Sequence, residues 1–230
     1  MIESKANKQF KVWMKLKSKK YRDSLGIFLV FGDDIIDIAK RQGALVELVT
    51  TNPKTSGLLI SKELMRELQP DTPFENMGVC KKVEKRIKSD KILVLDDVQD
   101  PSNLGALIRS ASAFNFNEVL ISNKSADLYH EKTIRSSKGA IFDCYVKRCY
   151  LEEEIAVIKK NGYKVLCADA HETNEADKKY QKLALVLGNE GQGVSENVRV
   201  LCDFTCHIET SNVESLNVAV AGGILMYLWR

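Results

Sequence analysis

Three stretches of the chain bring together residue types that bind or transfer chemical groups. The first, Asp96-Asp97-Val98-Gln99-Asp100-Pro101-Ser102-Asn103-Leu104-Gly105-Ala106-Leu107-Ile108-Arg109, follows a short apolar run. Pro101 ends a strand, and Ser102 or Asn103 can cap the helix that follows. Arg109 stands six positions beyond Asn103, about 120° away around a helix axis, and an arginine in so apolar a helix calls for an anionic partner. The second stretch, Leu185-Val186-Leu187-Gly188-Asn189-Glu190-Gly191-Gln192-Gly193, places three glycines directly after a buried strand, where backbone can approach a ligand closely. It is not a dinucleotide fingerprint, and Glu190 would repel a pyrophosphate. A ligand with a cationic or hydroxyl-rich end suits it better. The third, Ile208-Glu209-Thr210-Ser211-Asn212-Val213-Glu214-Ser215-Leu216-Asn217, leads into Val218-Ala219-Val220-Ala221-Gly222-Gly223. Here Ser215 or Asn217 caps a last helix whose small residues admit another backbone. Each stretch also has a plain structural reading: an N-cap with a surface ion pair, a tight turn, and a capped helix.

The elements that hold these loops are those of a parallel sheet. Apolar runs at 92–95, 119–121, 142–146, 165–168 and 183–187 alternate with helix-length segments, the pattern of strands covered on both faces. Ligands of such sheets sit at the carboxyl ends of the strands, where all three stretches fall. Upstream, strands at 27–31 and 45–49 flank a helix at 33–41, a helix runs from Ser61 to Leu68, and an edge strand is expected at Cys80–Val83. The charged run through Asp90 reads as a linker, dividing the chain into units 1–88 and 89–230.

With 44% apolar and 28% charged residues in 230, the chain excludes collagen, coiled coil and disorder. No apolar stretch is long enough to span a bilayer. A lysine-rich start without an apolar core predicts a cytoplasmic protein. Six cysteines without a Cys-x-x-Cys pair read as buried apolar residues. Cys202, Cys206 and His207 are the one near-cluster, and strand alternation turns Cys206 and His207 to opposite faces, so no metal site is expected.

The net charge of +3 hides an asymmetry, because residues 1–22 carry a net +7 and the remainder −4. Lys15, Lys17, Lys19, Lys20 and Arg22, interleaved with Phe10, Trp13 and Tyr21, suit phosphate neutralisation with base contacts, so RNA or DNA is the first partner to consider. A solvated amphipathic helix is the alternative.

In their order, Asp-Pro-Ser-Asn-Leu-Gly-Ala-Leu-Ile-Arg, Leu-Gly-Asn-Glu-Gly-Gln-Gly and Glu-Ser-Leu-Asn-Val-Ala-Val-Ala closely resemble the three signature motifs of the SpoU/TrmH family of RNA ribose 2′-O-methyltransferases, within the SPOUT superfamily. The resemblance covers residues 92–230. Lys17-Ser18-Lys19-Lys20-Tyr21-Arg22 followed by Phe28-Leu29-Val30 resembles the substrate-binding domain that precedes the catalytic domain in ribosomal-RNA members. The resemblance implies an α/β fold, a SPOUT-type parallel sheet with a C-terminal trefoil knot preceded by a small α/β (L30e-like) domain. It implies S-adenosyl-L-methionine held at Leu187, Gly188, Asn189, Gly191, Ile208, Ser215 and Leu216, and a homodimer with its active site at the subunit interface. The catalytic set carried over is Asn103, Arg109, Glu190, Ser215 and Asn217, with Arg109 also meeting RNA. The implied substrate is structured RNA, most readily 23S ribosomal RNA. Transfer-RNA 2′-O-methylation, base methylation and non-catalytic RNA binding are the alternatives. Two departures stand out: Ile208-Glu209 where the family commonly has Ile-Pro, in a stretch one residue shorter, and Phe31-Gly32 in place of Glu-Gly.

The charge asymmetry makes a prediction. Raising salt from 50 to 200 mM should weaken RNA retention on filters by orders of magnitude, because counterion release scales with the phosphates neutralised, and should leave S-adenosylmethionine affinity nearly constant in calorimetry.

Overall fold

The computed structural model describes residues 1–82, 86–169 and 180–230. Helices α1 (Lys8–Lys15) and α2 (Lys19–Leu25) precede β1 (Ile27–Phe31), α3 (Asp33–Arg41), β2 (Leu45–Thr50), β3 (Leu58–Leu59), α4 (Lys62–Leu68) and β4 (Asn76–Lys81). Their sheet has the order β1-β4-β2-β3, with β4 antiparallel to both neighbours. The second half contains β5 (Lys91–Leu95), α5 (Pro101–Ala113), β6 (Glu118–Ser122), α6 (Glu131–Ser137), a 3₁₀ turn at Ala140–Phe142, β7 (Tyr145–Cys149), α7 (Leu151–Lys160), β8 (Lys164–Ala168), β9 (Leu183–Leu187), α8 (Glu196–Arg199), β10 (Phe204–Cys206) and α9 (Val218–Leu228). Its six strands are parallel in the order β10-β8-β9-β5-β6-β7. Every residue of β9 is buried, as a strand covered on both faces requires.

The basic segment resolves into two functions. Asn7 caps α1 by accepting from the N–H groups of Gln9 and Phe10. Phe10 and Trp13, three residues apart, then face inward onto Ile60, Leu64 and Leu68. These aromatics are core residues and not base-stacking platforms. Lys15, Lys17, Lys19 and Lys20 remain exposed. Arg22 departs from expectation: it is 5% exposed, donates to the carbonyls of Leu16 and Lys17, and pairs with Asp127 at 2.5 Å. A buried guanidinium must be paired, so this one joins the two halves of the chain and does not meet phosphate.

That junction is extensive. Phe28, Val30, Ile36 and Cys80 belong to one continuous buried cluster with Leu104, Ile134 and Ile141. The Phe28 ring lies 4.5 Å from Tyr129 and 6.0 Å from Phe142, and Gln42 donates to Asp143 across the same boundary.

Two strand readings need correction. The strand expected at 142–146 lies at 145–149: Gly139, at φ 89°, turns the chain into the 3₁₀ turn, and Phe142 packs on Phe28. β7 is a half-buried edge strand, and its Lys147 and Arg148 disguise it. Arg148 is spent on the carbonyls of Ser122, Asn123, Ser125 and Ala126, fixing the loop after β6. The edge strand expected at 80–83 is the end of β4, which lies inside its sheet, and Val83 of that expectation falls outside the described residues. A glycine in Asn76-Met77-Gly78 masks its start.

Close packing of α5 on α6 turns on Gly105, where a Cβ would lie 2.4 Å from the Thr133 carbonyl oxygen and 2.8 Å from Ser136 Cβ. Gly105→Ala should cost about 1–3 kcal/mol through overpacking, lowering Tm by roughly 2–12 °C in a chain of this size, as read by calorimetry.

Candidate functional site

The carboxyl ends of β9 and β5 are tied side by side. The Asp96 N–H donates to the Leu187 carbonyl, and the Asp96 carboxylate accepts from the Ser195 N–H. Asp97 takes a left-handed conformation at φ 59°, and its carbonyl accepts from the Asn189 amide at 3.0 Å. Asp100 is the N-cap of α5, accepting from the N–H groups of Ser102 and Asn103, with Pro101 in the first turn. Those two backbone N–H groups hold the Asp100 carboxyl below the usual carboxylate range.

The glycine loop closes on itself. Asn189 and Gly193 exchange both backbone hydrogen bonds at 2.9 Å, and Asn189 Oδ1 accepts from Gly191 and Gln192. A side chain at 188 is impossible here, because a Cβ would sit 2.1 Å from the Gly193 carbonyl carbon. The turn presents Glu190 to the start of α5. Glu190 Oε1 accepts from Asn103 Nδ2 at 3.0 Å and from the Asp100 N–H at 3.2 Å, and Oε2 accepts from the Gln99 N–H at 3.4 Å. Asn103 Oδ1 in turn accepts from Asn217 Nδ2 at 3.1 Å, and Asn217 Oδ1 caps α9 through Ala219 and Val220. Burial disfavours ionisation of Glu190, but the hydrogen bonds from Asn103 and the backbone outweigh it and hold the carboxyl below the ordinary glutamate value. The side chain is therefore an acceptor at neutral pH and orients Asn103 by accepting one of its amide N–H groups.

Beside this chain of hydrogen bonds lies a cavity of ≈ 380 Å³, within the range of small-molecule sites. Leu187, Gly188, Asn189, Gly191, Ile208, Ser215 and Leu216 all line it. Leu187, Val218, Ala221 and Leu225 supply apolar wall, while Asp169 and Arg199, paired with each other, contribute charge. The walls suit S-adenosylmethionine: apolar surface for a purine and backbone polar groups close at hand around glycines that leave room.

The SpoU rRNA Methylase family model matches residues 90–227. The chain belongs to this family. A 23S rRNA (guanosine(2553)-2'-O)-methyltransferase, RlmP, of Bacillus subtilis is 32% identical across 100% of this chain and 98% of the relative. The SpoU methyltransferase AviRb of Streptomyces viridochromogenes, solved with AdoMet, is 26% identical and superposes with TM-score 0.84 over 97% of each chain. An AdoMet-bound rRNA methyltransferase of Sinorhizobium meliloti, 23% identical, shares the fold with TM-score 0.89 over 100% of this chain and 96% of its own.

Of the five catalytic positions carried over from the family's motifs, the structure joins Asn103, Glu190 and Asn217 in one network and sets Ser215 in the cavity wall. Arg109 stands apart from it, exposed on α5 and without a hydrogen bond or ion pair among the described residues. The caps fall one choice away from the sequence reading at α5, where Asp100 takes the place expected of Ser102 or Asn103, and on one of the two named residues, Asn217, at α9. Sequence reasoning passed over Asp100 although an aspartate before proline is the stronger start signal. It had no signal for the Asp169–Arg199 pair, which joins the residue after β8 to the end of α8.

The Glu190 environment gives a pH prediction. A carboxyl whose folded pKa is depressed adds stability above its ordinary value of 4.5 and loses it as pH falls through the lower folded value. The Tm difference between wild type and Glu190→Gln, measured by scanning calorimetry, should favour wild type at pH 6 and shrink below pH 4.5.

Proposed function

We propose that this chain transfers a methyl group from S-adenosylmethionine to a ribose 2′-hydroxyl of ribosomal RNA, most readily 23S, in the cytoplasm. The observation that carries the reading is the Glu190–Asn103–Asn217 chain, which joins all three motif loops, with Glu190 in the cavity wall. The cofactor, when bound, supplies an electrophilic methyl group. The cavity residues exclude water and fix its position, and Asn103, oriented from both sides, is placed to hold the ribose. A guanidinium is an awkward general base. We assign Arg109 to the target phosphate and to the negative charge that develops on the attacking oxygen.

Four structural proposals accompany this reading. Residues 1–88 form the RNA-binding unit and 89–230 the methyltransferase unit, the former resembling the L30e type. The exposed lysines of α1 and α2 supply its RNA contact. The C-terminal segment forms a trefoil knot, supported by the return of the chain from β10 at the sheet edge to α9 against α5 and β9, past the glycine loop with which it shares the cavity. Two copies form a homodimer through α9, which exposes Val220, Ile224, Tyr227 and Leu228 beside α5. That arrangement would bring Arg109 against a second subunit.

Arg109→Ala should bind S-adenosylmethionine as wild type does in calorimetry and lose about 100-fold or more in methyl transfer, the scale of removing one charge-stabilising donor. Wild-type turnover in that variant would remove Arg109 from the mechanism. Alkali-resistant dinucleotides in the product RNA identify ribose as the acceptor, and modified bases without them would identify base methylation.

A further inference from the structure

A second cavity, of ≈ 280 Å³, opens between the two halves of the chain. Lys17, Phe31 and Asp71 line it from the N-terminal half, and Tyr129, His130 and Glu131 from the end of the β6–α6 loop and the start of α6. Its position follows from the strand order. The loops after β9, β5 and β6 are neighbours along one rim of the sheet, joined in sequence by the Asn189 amide on the Asp97 carbonyl and by the Ala126 N–H on the Val98 carbonyl. Adjacent strands lie about 4.8 Å apart, so the carboxyl ends of β9 and β6 stand roughly 10 Å apart on the rim from which both cavity-lining segments depart. The walls are held in register: Arg22 grips Asp127 on one side and the Leu16 and Lys17 carbonyls on the other, and Arg148 fixes the loop's first half.

We propose that this cavity takes one unpaired nucleobase of the substrate RNA, a neighbour of the methylated nucleotide. The proposal rests on the methyltransferase reading for its RNA. The volume lies near the lower limit of about 300 Å³ for ligand pockets, enough for a single base and too little for a folded strand. The chemistry is that of a base edge, which carries donors and acceptors together. Lys17 provides a cation. His130 Nδ1 accepts from the Lys132 N–H, so in the neutral ring the proton lies on Nε2 as a donor. Asp71 and Glu131, both exposed, accept from amino or imino N–H groups, and Phe31 offers apolar surface. Lys17 also belongs to the basic segment, so RNA tracking along α1 and α2 reaches the cavity directly.

The carboxylates allow a test by sign. Beside a polyanion, removing a carboxylate ordinarily tightens binding. If Asp71 and Glu131 accept from a base, the double variant Asp71→Asn/Glu131→Gln should instead bind deproteinised ribosomal RNA about 10-fold more weakly by filter retention. Its S-adenosylmethionine affinity should match wild type, showing the fold intact. Glu3→Gln, which removes a carboxylate from the basic segment outside the cavity, should tighten RNA binding. Equal or tighter RNA binding by the double variant overturns the proposal. RNA retention with the expected loss, but no saturable S-adenosylmethionine binding by wild type, would strike the methyltransferase reading and leave the base pocket standing.

Discussion

The carboxylate of Glu190 is the point on which the site depends. It sits on a glycine turn after β9 and collects an amide from Asn103 and backbone N–H groups from Gln99 and Asp100, so three donors from the start of α5 converge on one side chain. Those donors outweigh the burial that would otherwise raise its pKa, and so favour the ionised form that accepts the Asn103 amide. Asn103 passes the constraint to Asn217, and Asn217 is also the cap of α9. One ionised group thereby fixes the relative positions of a turn and the starts of two helices that are separated by more than eighty residues in sequence.

The site was more legible in the sequence than the scaffold around it. Its residues lie in short motifs whose types announce themselves: glycines around a carboxylate, an asparagine after Asp-Pro, an asparagine before a run of small residues. Strands buried on both faces were equally plain, since β5, β6, β8 and β9 are continuous apolar runs. What escaped were positions where one residue serves a distant partner. Arg22 looked like a member of a basic patch, because nothing local reveals that Asp127 awaits it. Phe10 and Trp13 looked available for stacking because the helix-spaced pair gives no sign of the α4 surface that buries it. β7 was misplaced because an edge strand with two charged residues lacks the apolar signature, and Arg148 is charged there in order to gather four carbonyls of a neighbouring loop.

The two halves of the chain share a single buried cluster, with Phe28 and Val30 of the first sheet packed among residues of the second. Close-packed interiors do not deform continuously, so the first half is not a tethered arm that swings to find its target. On the proposed function, the span from the exposed lysines of α1 and α2 to the cofactor cavity is a constant of the molecule, and it works as a gauge. The RNA has to match it, so choosing a nucleotide becomes a measurement of length from a gripped backbone to a reachable ribose. Recognition of this kind can tolerate many sequences and few shapes.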